Sequence, residues 1–169
     1  MKRLISIVLL LSVILPLTAC KEQTQIREGV TFYYRNPNIA SGSEVIIPEI
    51  REAEGIRDDI RLILREYLKG PKTDGFSHVI PSDTVLYSFS MENNEAEIVL
   101  SDEFARLSGL DLTIACACIT KTVIGLCNVQ TVKIRCLNTD LECGRFVVMD
   151  EDSLMLFGSP TAPTETEGV

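Results

Sequence analysis

Positive charge is scarce in this chain. Its 169 residues hold 16 Lys and Arg against 24 Asp and Glu, a formal net charge of −8. Binding nucleic-acid phosphates needs clustered cations, so a nucleic-acid partner is excluded. Histidine is nearly missing, with His78 alone. It stands in Gly75-Phe76-Ser77-His78-Val79, which approaches an esterase elbow, but Val79 takes the place of the second Gly that the tight strand-to-helix turn needs. Triad members converge from separate segments, so a single His beside its Ser makes a poor general base. His78 therefore reads as a surface-loop residue. There is no Cys-x-x-Cys spacing, no Gly-rich phosphate loop and no internal repeat. A zinc site is disfavoured, because Cys116 and Cys118 point about 200° apart on a helix and cannot close on one ion. No cofactor or metal is implied.

Two acidic clusters, Asp58-Asp59 and Asp150-Glu151-Asp152, raise the question of paired carboxylates or calcium. The second lacks the Gly and the distant Glu of a calcium-binding loop. Glycosidase carboxylates must face each other across a cleft, a requirement on space that spacing in sequence does not meet. Both clusters read as solvated surface.

What is present begins at the N-terminus. Met1-Lys2-Arg3 is cationic, and Leu4 to Leu17 is apolar apart from Ser6, Ser12 and Pro16. A cationic end, a short apolar stretch and small residues make a secretory signal. The run stops at Thr18, short of the about 20 residues of a spanning helix. Leu17-Thr18-Ala19-Cys20 resembles the bacterial lipoprotein signature, which implies a diacylglycerol group on the Cys20 thiol and cleavage between Ala19 and Cys20. An ordinary signal cut after Ala19 is the plainer alternative. Removing residues 1–19 leaves 14 basic against 24 acidic residues, so anionic headgroups offer nothing and attachment rests on Cys20. The expected location is the extracytoplasmic face of the cell membrane.

After Cys20, residues 20–29 form a polar tether, and residues 158–169, rich in Gly, Ser, Pro, Thr and Glu, read as a disordered tail. With 46% apolar residues, the stretch 30–157 can bury one core. Val30 to Tyr34 alternates as a strand, and Glu44 to Ala53 is a second extended stretch that Pro48 confines to an edge or a bulge. Ile56, Ile60, Ile63, Leu64 and Tyr67 form one helical stripe, with Arg57, Asp58, Arg61 and Arg65 opposite; Gly70 and Pro71 stop it. From Thr84 to Met91, Val85, Tyr87, Phe89 and Met91 share one strand face, and Asn93-Asn94 turns the chain into a strand over Glu95 to Leu100. Ser108-Gly109-Leu110-Asp111 resembles a capping box that opens a buried helix to Cys127. Val132 to Cys136 is a half-buried strand, and Phe146–Met149 with Leu154–Phe157 suggests a last hairpin. The order β-β-α-β-β-α-β describes an α+β domain, a mixed β-sheet with two helices packed on one face. Besides Cys20 there are Cys116, Cys118, Cys127, Cys136 and Cys143. Their odd count and apolar setting fit buried thiols, with a Cys136–Cys143 disulfide as the alternative.

Four landmarks together resemble the GerMN domain, named for sporulation and spore-germination lipoproteins. They are Val30-Thr31-Phe32-Tyr33-Tyr34, the helix ending Leu68-Lys69-Gly70-Pro71, Ile80-Pro81 ahead of the strand from Thr84, and Glu95 to Leu100 closed by Ser101-Asp102-Glu103-Phe104. The resemblance spans roughly Gly29 to Leu137. It implies a compact module similar to ring-building-motif domains, with no catalytic centre and with envelope proteins as partners. The expectation is a membrane-anchored, non-enzymatic interaction module of sporulation, germination or envelope complexes. A cell-wall-acting enzyme, or a receptor that binds a small ligand or peptidoglycan, is the alternative, and it requires a cleft of convergent polar groups.

Overall fold

Among the described residues, the apolar positions that recur along the chain meet in a large core cluster and a smaller one, formed by six strands and two main helices. The computed structural model describes residues 29–154 apart from 39–42, 53–54 and 56–57. The expected signal peptide, the tether before Gly29 and the tail lie outside them. The elements are β1 (Val30–Arg35), β2 (Ile46–Arg51), α1 (Ile60–Leu68), β3 (Leu86–Glu92), β4 (Glu95–Leu100), α2 (Gly109–Cys127), β5 (Thr131–Cys136), β6 (Val147–Asp150) and a single turn α3 (Glu151–Leu154). A 3-10 turn, Asp102–Arg106, precedes α2.

The fold is α+β, as expected, with the strands divided between two sheets. β1 pairs antiparallel with β2, and the other four stand in the order β3-β4-β5-β6. β4 and β5 run parallel, while the pairs on either side are antiparallel. A parallel pair needs a long crossover, and α2 supplies it. Ala96, Ile98 and Leu100 face inward beside Val132, Ile134 and Cys136, and share a core with Ile63, Leu64, Tyr67, Leu112, Cys116 and Ile119. The other side of α2, through Ile114, Ala117 and Cys118, packs with Ile46 of β2. Buried on both sides, α2 is apolar all round instead of striped. Its length and composition would let it cross a membrane, yet it is a core helix here. Thr122 lowers helix propensity but accepts a hydrogen bond from the Tyr33 N–H at 3.0 Å, joining α2 to β1.

Local chemistry sets the boundaries. The Asp59 carboxylate accepts from the N–H groups of Arg61 (2.9 Å) and Leu62 (3.2 Å), so α1 starts at Ile60. Ile56 and Arg57, placed on the helix by the sequence stripe, lie outside the described residues. Gly70 ends the helix at φ +92°. Asn93 and Asn94 both take positive φ, making the expected tight hairpin. At the start of α2 the capping box does not form: the Ser108 side chain caps nothing, and the Glu142 carboxylate accepts from the Gly109 N–H instead. Asp111 pairs with Arg35 at 2.9 Å. The C-cap, Asn128, is left-handed at φ +53°.

Two other expectations are corrected. A bulge between Leu86 and Ser88 breaks the alternation of β3, so Leu86 joins Phe89 inside while Val85, Tyr87 and Met91 are exposed. After β6 the chain forms the turn α3, with the Asp150 carboxylate accepting from the Ser153 N–H and hydroxyl, in place of a hairpin loop. Met155 to Phe157 lie outside the described residues.

Candidate functional site

Ala19 and Cys20, the residues expected to carry cleavage and lipidation, lie outside the described residues. Inside the domain, the densest polar cluster arises from β2, whose burial runs against its hydropathy. Glu49 and Arg51 are 4% and 9% exposed, while Ile50 between them is 72% exposed. Residues two apart share a strand face, so the two charges turn inward together. Arg51 forms an ion pair with Glu49. It also donates through Nη2 to the Gly70 carbonyl (2.6 Å) and the Tyr34 hydroxyl (2.8 Å), and its guanidinium lies 4.8 Å from the Phe32 ring centre. The other Glu49 oxygen accepts from the N–H groups of Lys72 (2.8 Å) and Thr73 (2.6 Å). Burial pushes the Glu49 carboxyl up, but the hydrogen bonds from Thr73, Arg51 and Lys72 outweigh it and hold the group below its ordinary value.

This cluster explains the Leu68-Lys69-Gly70-Pro71 landmark. A helix end leaves carbonyls unpaired, and Arg51 donates to that of Glu66 in the last turn (3.4 Å) and to that of Gly70 just past it, while Glu49 fixes the next two N–H groups. The Tyr34 hydroxyl donates to the Tyr67 carbonyl (3.0 Å), and the Tyr67 hydroxyl to the Tyr33 carbonyl (3.1 Å), tying α1 to β1. Burial pushes both phenols above their ordinary range. Both Glu49 oxygens hold protein partners, and Arg51 is turned inward, so the pair serves as a clamp. Sequence reading missed it. The available signal was Glu49 and Arg51 on one face of a strand whose other face carries Ile50.

His78 is no surface-loop residue. It is half-buried against Tyr34, with ring centres 6.1 Å apart, and its Nε2 is buried without a hydrogen-bond partner. Burial and the nearby Arg51 charge lower its pKa, so the neutral ring is the stable form. Ser77 instead joins the backbone ladder, its N–H donating to the Arg35 carbonyl at 3.0 Å. The five described cysteines are free thiols. Cys116, Cys118 and Cys136 are buried, and burial pushes Cys116 and Cys118 up to about 12. Cys116 and Cys118 fall in different core clusters, on opposite sides of α2. Cys143 is exposed, in contrast to the expectation for the group as a whole.

The outer face of the four-stranded sheet carries a second ionic group. The Glu97 carboxylate accepts from both Lys133 (3.1 Å) and Arg135 (3.2 Å), and these contacts, Lys133 first, hold it below its ordinary pKa. The Lys133 ammonium also sits 4.9 Å over the Phe146 ring.

A family model described as Germane, sporulation and spore germination, matches residues 31–142, more than half of the chain. The chain belongs to that family. Three solved structures share this Germane fold. A candidate lipoprotein of Clostridium perfringens aligns with a TM-score of 0.50 at 16% identity, over 76% of this chain and 90% of its own. The first GerMN domain of the sporulation protein GerM from Bacillus subtilis gives 0.50 at 19% identity, over 72% and 95%. The tandem GerMN domains of the same protein give 0.50 at 18%, over 83% of this chain and 50% of theirs. No curated protein sequence matches the chain. The domain is therefore of the GerMN type, in a family named for a process and not for a reaction.

Proposed function

We propose that this Germane protein is a non-enzymatic lipoprotein, held at the extracytoplasmic face of the cell membrane by a diacylglycerol on Cys20. Its folded domain acts as an interaction module in sporulation, germination or envelope assembly. The family match over residues 31–142 is the observation that supports this reading most directly. The ionic cluster adds weight, because Glu49 and Arg51, the buried charged residues among those described, are engaged in fastening the end of α1 to β2.

The mechanism is presentation. Two acyl chains hold a protein at a bilayer, and a tether of nine residues from Lys21 spans at most about 30 Å. Confinement to that layer raises the effective concentration of the domain for partners in the same membrane. The test is Cys20→Ala. The variant should leave the membrane fraction, and intact mass of the wild-type chain should show added hydrocarbon at Cys20. A variant that stays in the membrane, or a processed chain of unmodified mass, overturns the anchor.

A further inference from the structure

An apolar groove of about 580 Å3 runs between β6 and α2. One wall is Phe146 to Met149, and the other is Gly109, Leu112 and Cys116, which share a helix face. Its two ends are distinct. The Glu142 carboxylate accepts from the Gly109 N–H, so the start of α2 lies at the end that holds Cys143 and Phe146. Met149 and Ser153 line the other end, because the turn α3 brings the chain back beside β6. Each wall is about 10 Å long, with three strand steps of about 3.3 Å from Phe146 to Met149 and seven helical steps of about 1.5 Å from Gly109 to Cys116.

Strand β6 is also the edge of its sheet, pairing among the described residues with β5 alone. Proteins cover such edges, because free N–H and C=O groups can pair with another chain. Charge narrows what can lie here. Glu142 lines the groove and Asp150, Glu151 and Asp152 follow directly on the strand, so an acidic segment is repelled. The chain itself supplies an uncharged one. Leu154, the last described residue, packs with Met149 against Ile114 and Cys118, which holds the chain at the Ser153 end of the groove. Met155, Leu156 and Phe157 come next, outside the described residues, and no charge follows until Glu165.

We infer that Met155-Leu156-Phe157 lies extended in this groove and covers the edge of β6. Three extended residues span about 10 Å, which is the length of the groove. Laid back along β6, Met155 and Phe157 fall in line with Met149 and Val147, which pack against the core. Leu156 then falls in line with Val148, which is 46% exposed on the outward side. The short link to α3 gives the segment an effective concentration at the groove that a separate chain lacks. An edge covered in this way is closed to strand addition, so partners of the domain bind at another face.

The test uses the full chain in detergent with a photoreactive phenylalanine analogue in place of Phe157. On illumination it should attach to residues 109–116 or 142–147 of the same chain, as located by peptide mass. The same analogue in place of Thr161 should give those products at least about tenfold less. Met155→Asp places a charge in the apolar groove and should bring the yield from position 157 down to that of position 161. Equal yields from positions 157 and 161, or a yield from 157 that Met155→Asp leaves unchanged, overturn the proposal. Mixing isotopically heavy and light chains separates attachment within one chain from attachment between two. Products that join a heavy chain to a light one assign the groove to a second copy and likewise overturn it. Labelling reports on the folded domain and the Cys20→Ala release on the anchor, so the two readings fail separately.

Discussion

Two carboxylate–arginine groups in this molecule use one chemistry in opposite surroundings. Glu49 and Arg51 are closed in behind β2, each with further partners from the end of α1. Glu97, with Lys133 and Arg135, lies on the open face of the sheet, each side chain about a third exposed. Burial removes the water that would stabilise either charge alone, so the inner pair can be broken only at high cost. The outer group keeps its water and can trade partners cheaply. The same pairing is a fastener in one place and an available surface in the other.

The largest effect should come from breaking the inner pair on one side. Arg51→Met leaves Glu49 charged and buried and frees the Gly70 carbonyl, and should cost about 3–5 kcal/mol in urea denaturation. Adding Glu49→Gln removes the stranded charge and should restore about 1–2 kcal/mol. If the single and double variants were equally unstable, the lost packing and carbonyl contacts would outweigh the charge. Next comes Gly70→Ala. A Cβ there meets His78 Nδ1 at 2.9 Å, on a backbone at φ +92°. The expected loss is roughly 1–3 kcal/mol. Adding His78→Ala should recover only the part due to the contact, because the backbone conformation remains.

Acid should act on His78 first, and on the carboxylates of both groups only at lower pH, since Glu49 and Glu97 are both held below their ordinary value. His78 has a lowered pKa in the folded chain, so below about pH 6.5 the unfolded chain binds its proton first and stability falls with falling pH. Glu49 is also lowered, so its contribution is present above the ordinary carboxylate range and is lost as pH falls below about 4.5. Denaturation midpoints measured from pH 7 to about pH 2 should decline in two stages. His78→Gln should flatten the first stage and leave the second.

These particulars also show how far the sequence could be read. Periodicity located most elements, since β1, β4, β5 and α1 each carry a clear pattern, whereas α2 was legible only as a long apolar run. The GerMN landmarks were legible too, but their purpose was not. The clamp depends on Arg51 meeting Gly70, nineteen residues on, and only the folded chain brings them together. Likewise Glu142 replaces Ser108 at the start of α2 from 33 residues away. The β3 face was misread because one bulge shifts the alternation, and a bulge leaves no mark in hydropathy.

The smallest effect on stability should come from the outer group, and it is the most informative about its use. Glu97→Gln removes the carboxylate that Lys133 and Arg135 share, and for an exposed group this should cost less than about 1 kcal/mol. The wild-type contribution should shrink in 1 M salt, where the screening length is about 3 Å, while that of Glu49–Arg51 should persist. A loss as large as that at Arg51, or one that persists in 1 M salt, would make Glu97 a structural ion pair like its buried counterpart, and the contrast between the two sites would be lost.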